Sequence, residues 1–198
     1  MKHLKNSVFL LALLTSLATM TVQAQNTAPA DNTARPAVVA EDLRPELQHL
    51  LPGSRLLGKT RLTVWGFQVY DARLWVTPAF RADRLASQLF ALELSYLRDF
   101  TNIDIAERSI KEMRRSASIT EEQAKSWITE MLRVVPNVKK GDRIMGVNRP
   151  GEGALFLVNG QSSGEIKDAE FAALFFGIWL SPKTSEPQMR SALLAGAL

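Results

Sequence analysis

Thr60–Val76 reads "TRLTVWGFQVYDARLWV" and holds two of the four tryptophans, one of the two tyrosines and two arginines. Its apolar residues fall on alternate positions, and Gly66 breaks the run, so two adjacent strands are expected, Leu57–Trp65 and Phe67–Val76, joined at "WGFQ". Side chains on a strand alternate between faces, which puts Leu62 and Val64 on the core side and Arg61, Thr63 and Trp65 together on the other. Aromatic and β-branched residues are what a half-buried sheet uses. A cation among aromatics also makes a pocket for a ligand that is mostly apolar and carries one acidic or carbonyl group. The hairpin by itself leaves both readings open.

Strand and helix signals continue outward from it. "SQLFALELSYL" supplies another strand. "FTNIDIAERSIKEMRRS" is helical, with Asn102 as candidate N-cap and Ile103, Ile110 and Met113 at helical spacing. "SITEEQAKSWITEMLRVVP" follows with a capping box from Thr120 to Gln123 and stops at Pro136. "GDRIMGVN", a turn at "RPGEG", "ALFLVNG" and a second turn through "QSSG" to "EIK" read as an antiparallel meander. "DAEFAALFFGIWL", capped by Asp168 and apolar nearly all round, is the expected central buried helix, and a last helix is expected from about Glu186 through "MRSALLAGAL". The order of strands and helices has no βαβ rhythm and implies an α+β fold, an antiparallel sheet covered by helices on one face.

The N-terminus sets the compartment. "MKHLKNS", the apolar "VFLLALLTSLA" and the small residues Val22 and Ala24 make residues 1–24 a secretory signal peptide, too short in its apolar run for a membrane span. Residues 25–42, polar and rich in Ala, Pro, Asn and Thr, read as a disordered leader, and residues 43–198 as one folded domain. The expected localisation is therefore exported, and periplasmic in a bacterium with an outer membrane.

Composition narrows the chemistry. The formal charge of +4 includes Lys2 and Lys5 of the signal, so the mature chain is nearly neutral and lacks the basic stripe a nucleic-acid surface needs. With no cysteine, thiol catalysis and thiolate metal sites are excluded. His49 is the one histidine left after the signal, in the polar segment "ELQHLLPG", a poor start for a catalytic triad or a histidine metal site. No metal and no cofactor are expected. "RPGEGALFLVNG" lacks the Lys-Ser/Thr ending of a phosphate loop and leads into no helix, so it reads as a hairpin turn. What remains is Arg61, Arg73 and Arg98 with Trp65, Trp75, Tyr70 and Tyr96.

Taken together, "LLGKTRLTVWGFQVYDARLWV", "LELSYLRDFTNIDIAERSIKEM", "VKKGDRIMGVNRPGEGALFLVNGQSSGEIKDAEFAALFFGIWLSPKT" and "MRSALLAG" resemble the bacterial chalcone isomerase-like proteins, in order and over most of residues 52–196. The resemblance implies the chalcone isomerase fold, an open-faced β-sandwich in which a large antiparallel sheet is layered by helices. In plant chalcone isomerases an arginine on the strand before the "VY" segment steers a phenolate for ring closure, and Arg61 stands at the similar position. The threonine and tyrosine of that chemistry fall about at Trp65 and Ile105, which carry no comparable group. The same fold includes plant fatty-acid-binding proteins, in which an arginine and a tyrosine hold a carboxylate. The resemblance thus implies a non-catalytic binder of a fatty acid or similar apolar acidic ligand, with Arg61 as anchor and Trp65, Tyr70 and Tyr96 as ligand-binding residues. The alternative is an isomerase or intramolecular lyase acting on a chalcone-like unsaturated carbonyl compound. A docking face for a protein partner would use the same apolar residues.

Overall fold

The computed structural model describes residues 44–197, so the expected signal and leader segments lie outside the described residues. A short helix, α1 (Leu47–Leu50), precedes the strands β1 (Arg55–Val64), β2 (Phe67–Val76) and β3 (Phe90–Tyr96). Two helices, α2 (Asn102–Met113) and α3 (Glu121–Val134), come next. Then follow β4 (Arg143–Arg149), β5 (Gly153–Val158) and β6 (Gln161–Ile166), and last α4 (Ala169–Leu180) and α5 (Pro187–Leu193). The strands form one antiparallel sheet in the order β1-β2-β3-β4-β5-β6, so space follows sequence, and α2 and α3 loop out between β3 and β4 without parting them. This is the α+β architecture expected, an open sheet with α2 to α5 on one face.

Two tight turns show what the sheet asks of its sequence. At β5–β6 the turn is Asn159-Gly160, both at positive φ (51° and 87°), and "QSSG" begins β6 instead of turning as expected. Asn-Gly is the preferred pair for a two-residue turn of this hand, and the Asn159 carboxamide is used as well: it donates to Asp142 at 3.0 Å and accepts from the Arg143 N–H at 2.8 Å. At β1–β2, Val64 pairs with Phe67 around Trp65-Gly66, again both at positive φ (50° and 82°). A tryptophan in the left-handed region costs about 1–2 kcal/mol that an asparagine or glycine would largely avoid.

Side-chain caps start the helices. Thr101, not Asn102, caps α2, its hydroxyl accepting from the Asp104 N–H at 3.2 Å, while the Asn102 N–H donates to the Asn137 side chain. Thr120 caps α3 as expected, accepting from the Gln123 N–H at 3.1 Å. Asp168 caps α4 and also accepts from the Trp127 indole at 2.8 Å, tying α3 to α4. α4 buries Phe171, Phe175, Phe176, Trp179 and Leu180, each worth roughly 1.5–3 kcal/mol of burial, and lies so close to β4 that a Cβ at Gly146 would meet Phe176 at 2.9 Å. Among the described residues no helix is long and apolar enough to cross a membrane. α5 ends at Leu193, short of the chain end expected for it, and packs on β1 at Gly58, where a Cβ would lie 2.4 Å from the carbonyl oxygens of Ala192 and Leu193.

The other face of the sheet is covered at α1, where Leu47 and Leu51 pack on Trp75, Met145, Val147, Leu155 and Leu157. Beside them Glu93 is fully buried. Arg44 grips it with two hydrogen bonds of 2.7 Å, Arg143 bonds it and reaches Glu46 at 3.1 Å, and Arg73 stands 3.9 Å away. Burial pushes the Glu93 carboxyl up, but the Arg44 hydrogen bonds and the charges of Arg143 and Arg44 outweigh it and hold the group below its usual range.

Glu93→Gln should lower unfolding free energy by roughly 3–5 kcal/mol near neutral pH, because it leaves cations without their buried counter-charge. A carboxyl whose folded pKa is depressed stabilises fully above its ordinary value and loses that contribution as pH falls through the folded one. Wild-type stability measured by urea titration should therefore fall below about pH 4.5 more steeply than that of the variant. Gly58→Ala should cost roughly 1–3 kcal/mol in the same assay, since backbone carbonyls cannot yield as a side chain would.

Candidate functional site

A cavity of about 660 Å³ lies between the helix-covered face of the sheet and α2 and α4, at the end of the sheet that carries the β1–β2 hairpin. Its volume is within the range of sites for small apolar molecules. Leu62 and Val64 of β1, Val69 and Tyr70 of β2, Leu94 and Tyr96 of β3 and Ile144 of β4 form the sheet wall. Ile105, Arg108, Ser109 and Glu112 of α2 and Phe175, Ile178 and Trp179 of α4 form the helix wall. Trp65, Phe67, Arg98 and Asp99 stand at the exposed rim.

The sheet builds the polar part of the wall through register. Tyr70 sits directly opposite Tyr96 across β2–β3, and their rings meet edge to face at 6.1 Å. The Tyr70 hydroxyl accepts from the Trp179 indole N–H at 2.9 Å. Burial pushes the Tyr70 phenol up to about 12, against a smaller opposite pull from the Trp179 hydrogen bond, and burial pushes Tyr96 up too. Both phenols are therefore neutral at ordinary pH and suit hydrogen bonding, not proton abstraction. On α2, Arg108 pairs with Glu112 Oε1 at 2.8 Å. The other oxygen, Glu112 Oε2, is buried without a hydrogen-bond partner, with Arg115 Nε 3.8 Å off. Such an atom in a cavity wall is a place for a donor from a ligand or water.

Of the residues expected at the site, Trp65, Tyr70 and Tyr96 line the cavity and Arg61 does not. Arg61 donates to Asp71 at 2.6 and 2.9 Å and to Gln68 at 2.9 Å, on the sheet face turned away from the helices. Alternation puts it there, since Leu62 and its partner Tyr70 face the cavity and Arg61 and its partner Asp71 face away. Arg73 lies on the same outer face beside Glu93. Trp65 departs from the expected alternation: it is in the turn, beyond the last strand pair, and borders the cavity despite its odd position.

The cations that do line the cavity are Arg98, stacked 4.8 Å over the Phe67 ring, and Arg108. The sequence reading singled out neither Arg108 nor Glu112 as a site residue. Their signal is a polar interruption of an apolar stripe: Ser109 and Glu112 are buried on α2 alongside Ala106, Ile110 and Met113. A purely structural helix would place apolar side chains at such positions.

A family model described as chalcone isomerase-like matches residues 56–195. No curated protein matches the chain. Among solved structures, the crystal structure of a fatty-acid binding protein from Arabidopsis thaliana aligns with a TM-score of 0.56, covering 72% of this chain and 87% of that one at 12% identity. Likeness at that identity speaks for the fold, which is the helix-layered antiparallel sheet described above. The chain belongs to the chalcone isomerase-like family.

Proposed function

We infer that this protein is a non-catalytic binder of a fatty-acid-like ligand, whose acyl chain lies between the sheet and α2 and α4. The observation that carries the reading is the cavity itself: about 660 Å³, walled by Leu62, Leu94, Ile105, Ile144, Phe175 and Ile178, with its polar groups gathered around Tyr70 and the Arg108–Glu112 pair. Long apolar walls with a few convergent polar groups are what a single-headed lipid needs. The fatty-acid binding protein with a similar fold supports the same reading.

The head group is recognised by α2, not by β1. Arg108 retains donors beyond its bond to Glu112 and can donate to a carboxylate oxygen of the ligand, and Glu112 Oε2 can accept from a water or hydroxyl beside that head. Four acidic residues at the cavity, Asp99, Asp104, Glu112 and Glu186, against the cations Arg98 and Arg108, disfavour a ligand with several negative charges. Trp65 and Ile105 stand where the resemblance would put the threonine and tyrosine of ring closure, and this supports binding over catalysis. Residues 1–24 support export of the protein through a cleaved signal, so its ligand would be met outside the cytoplasm.

Native mass spectrometry of the purified protein, followed by organic extraction, should release one acyl ligand per chain. An empty protein with no affinity for acyl probes, or ring closure of chalcones above the spontaneous rate, would replace this reading. In calorimetric titration with a long-chain fatty acid, Arg108→Ala should lose roughly 1.5–3 kcal/mol of affinity, the worth of a hydrogen bond to a charged group. Arg61→Ala should bind as wild type, because its guanidinium is engaged by Asp71 and Gln68 away from the cavity.

A further inference from the structure

The β1–β2 hairpin ends in an apolar tip exposed to solvent: Trp65 is 94% exposed, Phe67 59% and Val64 40%. The other three tryptophans, Trp75, Trp127 and Trp179, are at most 7% exposed. The turn does not require this residue. The β5–β6 turn of the same sheet has the same length and the same positive φ values and uses Asn-Gly, whereas β1–β2 holds a strained tryptophan in the equivalent place. A large aromatic kept in an unfavourable backbone conformation, in contact with water, is explained by something outside the chain that it enters.

We propose that this tip docks on a lipid bilayer and opens the cavity towards it. Tryptophan is the side chain best suited to the bilayer interface, with an apolar body and an N–H for the head-group layer. The tip is continuous with the cavity: Val64, Trp65 and Phe67 are part of its wall, so a bilayer touching them faces the acyl site directly. Cationic side chains stand at the same end. Arg98 stacks on Phe67, and Lys140, also exposed, bonds through its backbone N–H to Asp99, the neighbour of Arg98 in the chain. They suit lipid phosphates around an inserted aromatic. The proposal extends the reading of the cavity as a lipid site, since a ligand nearly insoluble in water is collected where it is concentrated.

Vesicle binding tests the docking without any ligand. The full-length mature protein is mixed with vesicles of phosphatidylcholine and phosphatidylglycerol, with and without brominated acyl chains. Because Trp65 is the tryptophan in contact with water, its emission should shift to the blue on mixing and be quenched by the brominated lipid. Trp65→Asn restores the residue that the turn prefers, so it should fold and melt at or above the wild-type temperature. Its vesicle-bound fraction in sedimentation should nevertheless fall at least about fivefold, the loss expected when a large aromatic is removed from an interfacial contact. Binding of a fluorescent acyl probe free in solution is measured on both proteins and reads the cavity separately, since Trp65 borders it as well. Unchanged emission on adding vesicles, or equal sedimentation of wild type and variant, would overturn the proposal. A blue shift that grows with protein concentration in the absence of vesicles would overturn it too, by giving the tip to a second copy of the chain. Loss of probe binding by both proteins, with vesicle docking retained, would instead reject the ligand assignment and leave the docking standing.

Discussion

Along β2 the side chains of Tyr70, Ala72, Leu74 and Val76 face the helices while those of Asp71, Arg73 and Trp75 face away, and this period of two distributes the rest of the molecule. The helix side receives the aromatic packing of α4 and the phenols. The outer side receives the charges, with Glu93 buried among arginines under α1. A shift of one residue in the pairing of β1 with β2 would exchange the two sets, placing Asp71 in the cavity and Tyr70 against the arginines. Such an exchange would bury an unpaired carboxylate, so the charged face opposes slippage as firmly as the apolar face does.

The cavity is what remains where this packing stops. α4 fills the centre of the helix side with Phe171, Phe175, Phe176 and Trp179, and α3 is held to it through Asp168 and Trp127. Towards the hairpin end the inward residues Leu62, Val64 and Tyr70 form the sheet wall, with Tyr70 tied to α4 by the Trp179 indole. α2, whose buried stripe is broken by Ser109 and Glu112, adds its polar groups to those of Tyr70 and the rim. A rigid frame on the core side and a sparse wall at the rim suit a site that must admit a long apolar molecule.

The fold was legible because its signals are local: alternation in β1–β3, helical spacing with Thr120 and Asp168 as caps, and glycine at the turns. The site was legible only in part. Aromatic character marks Tyr70, Tyr96 and Trp65, which border the cavity, but the partner of Arg61 is an aspartate across a hairpin, and composition cannot distinguish a paired guanidinium from one that waits for a ligand. Alternation had already put Arg61 opposite Leu62, and the inference failed where it assigned the pocket to the outward face. The caps show the same limit at smaller scale, since Thr101 and Asn102 are both competent and the Asn137 side chain decides between them by engaging the Asn102 N–H.

A flat sheet with unpaired outer strands is a template on which further strands can add. Here both margins are occupied by the chain's own backbone and side chains. Gly58 lets the carbonyls of Ala192 and Leu193 lie against β1, and Arg55 holds the Gly196 carbonyl at 3.2 Å on the same margin. At β6 the Glu165 carbonyl accepts from Arg133 at 2.6 Å, and Ser163 donates to the Val134 carbonyl at 2.7 Å. Strand addition would first have to strip these contacts away, and at β1 they exist because a glycine lets the C-terminal helix come so close.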